Sequence, residues 1–318
     1  MMSNLYKSFI KDDILDYKKV MELGNHWDET TQQSILAFDK YCYLNGEGQN
    51  ELTQELINGW CNQRPTESNN SCRSRIYPIY NFVAFLNLRK NVSFILPDIP
   101  RREASTYIPH IFTGKELKLF FSESDNIETY NMRRKIIVPV FFRLLYSSGL
   151  RICEARWLKC EDVDLKNGVL NIRKSKTSIQ HYVAVHESMR ELLFEYNGKI
   201  SELFSGREWF FPGKKGNCLD KKWVKYNFDK LWKKVGSPVK ATAYCFRHTY
   251  ATENINKWIG EGFDSFDKLV YLSKSMGHAS VETTMKYYQM TPAFADILLV
   301  RTESAFSELL PECEYEEE

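Results

Sequence analysis

Apolar positions in the first 90 residues recur at helical spacing in four blocks separated by polar breaks. The blocks run Leu5 to Met21, Thr30 to Leu44 with Ile35, Phe38 and Tyr41 on one face, Thr53 to Asn62, and Ser68 to Leu88. They predict a four-helix unit over residues 1–90. The stretch Leu96-Pro97-Asp98-Ile99-Pro100-Arg101-Arg102 follows, and its two prolines stop helices, so 91–107 reads as a linker. Beyond it, Thr113 with Glu116 at the third position forms a capping box, and Arg133 to Ser147 is a mostly apolar, buried helix stopped at Ser148-Gly149. There the period changes from helical to alternating. Val169 to Lys174 and His181 to Val185 are β-rich and flank the polar residues 175–180, which predicts a hairpin. Helical spacing then resumes from Ser188 and continues in Lys221–Val235, Arg247–Lys257, Phe266–Met276, Ser280–Gln289 and Thr291–Leu309. The expected fold is mostly α with a small β-sheet, in two domains, 1–90 and 108–318.

Composition narrows this picture. Of the 318 residues, 43% are hydrophobic and 14% aromatic, which argues for packed cores and against disorder. The most apolar run, Ile136 to Phe142, is far shorter than the roughly 20 residues of a membrane helix and is flanked by Arg133, Arg134 and Arg143. The N-terminus turns acidic before any apolar stretch forms, so no secretory signal is expected and the protein reads as cytoplasmic. The eight cysteines form no CxxC pair and join no histidine at zinc-ligand spacing, so they read as free thiols and no metal is expected. The net charge of +2 hides an asymmetry, because residues 106–311 carry 31 Lys/Arg against 23 Asp/Glu while five glutamates crowd the last seven positions. A basic second domain suits a polyanion.

Four short motifs occur in a fixed order. They are Ser148-Gly149-Leu150-Arg151-Ile152-Cys153-Glu154, the hairpin with Lys174 and Lys176 near its tip, Tyr244-Cys245-Phe246-Arg247-His248, and Gly277-His278 followed nine residues later by Tyr287. Singly each is weak. In this order they resemble the tyrosine recombinases, also called phage integrases, whose catalytic domain carries Gly-Leu-Arg-x-x-Glu, a hairpin lysine, His-x-x-Arg-His and Gly-His before a nucleophilic tyrosine. The resemblance assigns Arg151, Arg247, His278 and Tyr287 to the site. It places the lysine shortly before the returning strand and so selects Lys176, with Lys174 in reserve. Where the family usually has the first histidine of its His-x-x-Arg motif, this chain has Tyr244, which puts that acid–base role in doubt and suggests slow cleavage.

What the resemblance implies is an N-terminal helical core-binding domain of SAM-like fold and a mixed α/β DNA breaking-rejoining catalytic domain. The partner would be double-stranded DNA, held by a tetramer linked through the C-terminal helix. Cleavage and rejoining would pass through a 3′-phosphotyrosine with no cofactor. Integration or excision of a mobile element is the expected role; a type IB topoisomerase or a non-catalytic DNA-binding relic remains an alternative. The chemistry fits the residue types independently. Two arginines are permanent, fork-shaped donors for phosphate oxygens, a phenol is a usable nucleophile beside such charge, and a lysine can protonate a leaving oxygen.

Several residues have plainer readings. Glu154 reads as a buttress for Arg151. His248 reads as a helix-buried histidine with a hydrogen-bond partner rather than as a base. The lysines of 221–234 read as a solvated or phosphate-touching face over core aromatics. Of the adjoining Tyr287 and Tyr288, helical spacing puts Tyr288 on an apolar stripe with Val281 and Met285 and leaves Tyr287 on a more polar face.

Overall fold

The computed structural model describes residues 5–104, 107–175, 179–258 and 265–287, and the chain divides into two compact units, 1–107 and 108–318. The first unit holds α1 (Lys11–Leu23), α2 (Glu29–Asn45), α3 (Gln54–Cys61) and α4 (Asn69–Lys90). Three of these helices start where an oxygen side chain caps them: Asp28 accepts from the Thr31 amide, Thr53 from that of Leu56, and Ser68 from that of Ser71. Their apolar faces meet around Ile14, Tyr17, Phe38, Ile57, Phe82 and Val83.

The first helix begins at Lys11 and not at Leu5, for an electrostatic reason. Asp39 of α2 is buried, and it accepts from the amides of Lys7 and Ser8 at 2.8 and 3.1 Å and from the Ser8 hydroxyl at 2.6 Å. Those amides serve the carboxylate, so the segment packs as a strap with Tyr6 and Ile10 in the core. At the other end, Phe94 exchanges two hydrogen bonds of 2.9 Å with the Asn87 side chain, and Val92, Phe94 and Leu96 rest on the same core.

The second unit begins with α5 (Gly114–Asp125), whose Thr113–Glu116 capping box is formed, and continues with α6 (Met132–Ser148) and α7 (Ile152–Arg156). A three-stranded antiparallel sheet follows in the order β1 (Val163–Asp164), β2 (Val169–Ile172), β3 (His181–Ala184). The expected hairpin is β2–β3, with Leu170 opposite Val183 and Ile172 opposite His181; the short β1 at its edge was not expected. The remaining helices are α8 (Glu187–Leu203), α9 (Lys221–Val235), α10 (Cys245–Trp258), α11 (Ser265–Ser275) and α12 (Val281–Met285). Phe120, Phe142, Phe228 and Phe246 pack ring on ring at the centre, which seats α10 against α5, α6 and α9.

On α9 the aromatics divide. Phe228, Leu231 and Trp232 are buried, whereas Tyr226 is exposed; Lys225 pairs with Asp229 and Lys234 with Glu123. The seven described cysteines form no disulfide with one another. Among the described residues no helix is long and apolar enough to cross a membrane.

Candidate active site

Gly149 ends α6 with φ +64°, a left-handed position where a Cβ would also run into the ring of Tyr250. That turn directs Arg151 inward as the residue before α7. Its guanidinium donates to Glu154 Oε1 at 2.6 Å and to the Gly277 carbonyl at 3.0 Å, while its own amide donates to Glu154 Oε2 at 2.8 Å. Glu154 is buried, so both carboxylate oxygens are spent on one arginine. The buttress expected from sequence is present.

Arg247 comes from the first turns of α10 and is 1% exposed. It donates to the Gly149 carbonyl at 2.7 Å, the Met276 carbonyl at 2.6 Å and His278 Nε2 at 2.9 Å. Its Nε is buried without a partner. No carboxylate among the described residues pairs with it. Burial, helped by Arg151, pushes its pKa below the ordinary arginine value, yet a guanidinium stays charged in any protein.

That charge sets the state of its neighbours. His278 sits after the Gly277 turn, and burial with the repulsion of Arg247 and Arg151 pushes its pKa down to about 3. An arginine only donates, so His278 Nε2 accepts; the ring proton is therefore on Nδ1, which lies 2.7 Å from Thr284 Oγ1. Both nitrogens of His278 are engaged. Tyr287 is 6% exposed, with its ring stacked on His278 at 6.2 Å and tilted against His248 at 5.5 Å. Burial pushes its hydroxyl pKa up, and the Arg247 guanidinium beside it pulls the other way.

Tyr244 is 41% exposed and meets the His248 ring edge-on at 5.0 Å. The structure thus gathers Arg151, Arg247, His278, Tyr287 and, at the rim, Tyr244. Lys176 lies outside the described residues, as do Tyr288 and the helix expected at Thr291–Leu309. The reserve Lys174 stands 4.7 Å over the Trp157 ring.

Two expectations need correction. Met285 is 51% exposed and α12 stops there, so the apolar stripe drawn through it does not exist; Tyr287 lies beyond the helix and packs with Ala251, Ile255, Leu269, Leu272 and Met276. A period of 3.6 cannot assign faces past the end of a helix. The second concerns His248, whose Nδ1 is buried with no hydrogen-bond partner.

Sequence reasoning also passed over His181 and Thr284. His181 opens β3 and fills the space a side chain would take at Gly277, where a Cβ would lie 2.5 Å from its Cε1; Gly277 itself has φ +62°. This contact joins the hairpin to the turn that carries His278. A histidine opening an otherwise apolar strand was the available signal. Nothing in the sequence marks Thr284 beyond its spacing from His278.

A family model described as the phage integrase family matches residues 110–293. The tyrosine recombinase XerC of Bacillus pumilus is 27% identical over 220 residues, covering 67% of this chain and 67% of its own length. A putative integrase/recombinase of Sinorhizobium fredii, y4rB, is 25% identical over 279 residues, covering 82% and 87%. In fold, the chain resembles the XerH site-specific recombinase in its pre-cleavage complex with difH, with a TM-score of 0.59 at 20% identity, covering 81% of this chain and 76% of that one.

Proposed function

The chain belongs to the phage integrase family, the tyrosine recombinases, and on that footing we propose that it cuts and rejoins duplex DNA at specific sites through a 3′-phosphotyrosine at Tyr287. The observation that carries the reading is the pairing of Arg247 with Tyr287: an arginine with no carboxylate partner among the described residues, buried beside the hydroxyl. A charge held there and left uncompensated attracts a phosphate and lowers the cost of the phenolate.

Arg151 and Arg247 bind the non-bridging oxygens, the first through the part of its fork not taken by Glu154. Preorganised donors of this kind need no rearrangement as charge develops on phosphorus. His278 stays neutral, and it aligns Arg247 while packing against the tyrosine ring. Lys176, which falls between β2 and β3 in the sequence, supplies the proton for the leaving 5′ oxygen; the engagement of Lys174 with Trp157 favours this choice. The phosphotyrosine conserves the energy of the broken bond, so rejoining needs no nucleotide cofactor.

Both units would contact the duplex, and four copies, linked through the segment after Tyr287, would exchange strands between two duplexes. Movement of a mobile element is the role we favour, because Tyr244 breaks the His-x-x-Arg pattern expected of a housekeeping resolvase. The test is incubation of the protein with a pool of nicked duplexes drawn from the DNA flanking its gene. A denaturant-resistant protein–DNA adduct, lost in Tyr287→Phe, is the expected result. Joint molecules between two duplexes distinguish recombination from relaxation of supercoils. Binding with no adduct under any condition would leave only a DNA-binding role.

A further inference from the structure

Two of the groups nearest Tyr287 are poorly suited to take its proton. Its stacked neighbour His278 has both nitrogens occupied, Nε2 accepting from Arg247 and Nδ1 facing Thr284. Tyr244 stands where the family pattern has histidine, and a phenol is a poor base near neutral pH. Lys176 is assigned to the opposite side of the phosphorus, at the leaving oxygen. Besides His278, one other histidine among the described residues contacts the tyrosine ring. It is His248, on the first turn of α10 and also in ring contact with Tyr244, which lies just before that helix.

Its Nδ1 is buried with no hydrogen-bond partner, an orphaned polar atom of a kind that calls for an explanation in a folded protein. Burial and the nearby Arg247 hold its pKa down at about 4, so the ring is neutral and carries a lone pair at neutral pH. The groups around it are Tyr244 just before its helix, Arg247 on that helix and Tyr287 from the segment after α12.

We propose that His248 is the acid–base partner of Tyr287, taking the role that Tyr244 cannot perform from a position further along the chain. As the tyrosine oxygen bonds to phosphorus, its proton passes to His248 and the bond from phosphorus to the 5′ oxygen breaks; that oxygen takes its proton from the hairpin lysine. In rejoining, the 5′ hydroxyl attacks, its proton returns to the lysine, and the imidazolium of His248 gives its proton back to the tyrosine. The inference rests on Tyr287 as nucleophile.

The experiment uses the full chain and two versions of a cleavable nicked duplex, one normal and one with sulfur in place of the scissile 5′ oxygen. The sulfur leaves without a proton and so isolates activation of the nucleophile. His248→Gln is expected to slow adduct formation about 100- to 1000-fold on both substrates with DNA binding unchanged, within the usual range for losing a general base. Its rate should climb with pH between about 6 and 9, where hydroxide substitutes for the base, while that of the parent protein stays level. Adding Tyr244→His to His248→Gln should recover at least about tenfold, as expected if the family's usual position again supplies a base. Should the glutamine variant lose DNA binding, His248→Ala with added imidazole replaces it, and recovery of cleavage with imidazole is the expected result. A His248→Gln rate within a few-fold of the parent overturns the proposal, as does a slow variant whose pH profile parallels the parent's or an alanine variant that imidazole leaves unchanged. If the parent protein itself gives no Tyr287-dependent adduct, the recombinase reading fails first and this inference with it.

Discussion

Arg151 and Arg247 sit on two sides of one site, each next to a glycine turn, yet their surroundings are opposite in kind. Arg151 is locked to Glu154, a buried carboxylate that spends both oxygens on it. Arg247 is held by two backbone carbonyls and a histidine, which fix its position without cancelling its charge. One corner is a neutralised clamp and the other a bare charge under low dielectric. The contrast assigns labour: Arg151 provides geometry, and Arg247 adds its repulsion to the burial that keeps His278 and His248 neutral while partly offsetting the burial that raises the Tyr287 hydroxyl.

The largest effect expected from this contrast is on stability at the clamp. Arg151→Ala leaves a buried carboxylate unpaired and should cost about 3–5 kcal/mol in denaturant unfolding, most of it recovered by adding Glu154→Gln. Equal costs for the single and double variants would erase the distinction between the corners. Next comes Arg247→Lys, where one ammonium cannot span Gly149, Met276 and the phosphate together; adduct formation should fall about 100- to 1000-fold, as for loss of one oxyanion donor. A lysine as active as arginine would mean that charge alone matters there.

The smallest effect is on pH. The folded pKa values of His278 and His248, about 3 and 4, lie below the ordinary histidine value of 6.5. As pH falls below 6.5 the unfolded chain gains protons that the folded one refuses, so stability declines from there down toward the folded values. Between about pH 6.5 and 4.5, above the carboxylate range, the melting temperature should fall, and the fall should be shallower in His278→Gln. A slope unaltered by that substitution would mean that the titration of His278 does not contribute to the acid-side decline.

Much of this was legible in the sequence because periodicity reports burial within a helix and short motifs report turns. Lys221–Val235 was read to the residue, and the Thr113 capping box and the β2–β3 hairpin follow from local chemistry. The ordered motifs likewise picked out Arg151, Arg247, His278 and Tyr287. What stayed hidden depends on partners distant in sequence. Asp39 delays α1 by capturing amides some 31 residues away, and His181 meets Gly277 only when β3 reaches that turn. The face of Tyr287 was misread because α12 is shorter than its pattern suggests.

The three bonds of Arg247 join residues 149, 247 and 276 to 278, so the anion pocket is the work of segments made at very different times in synthesis. A ribosome-bound chain ending before Met276 lacks two of the three anchors and also Tyr287, the proposed nucleophile. On the proposed mechanism, cleavage therefore becomes possible only when nearly all of the second unit has been made, an order set by the position of these residues along the chain.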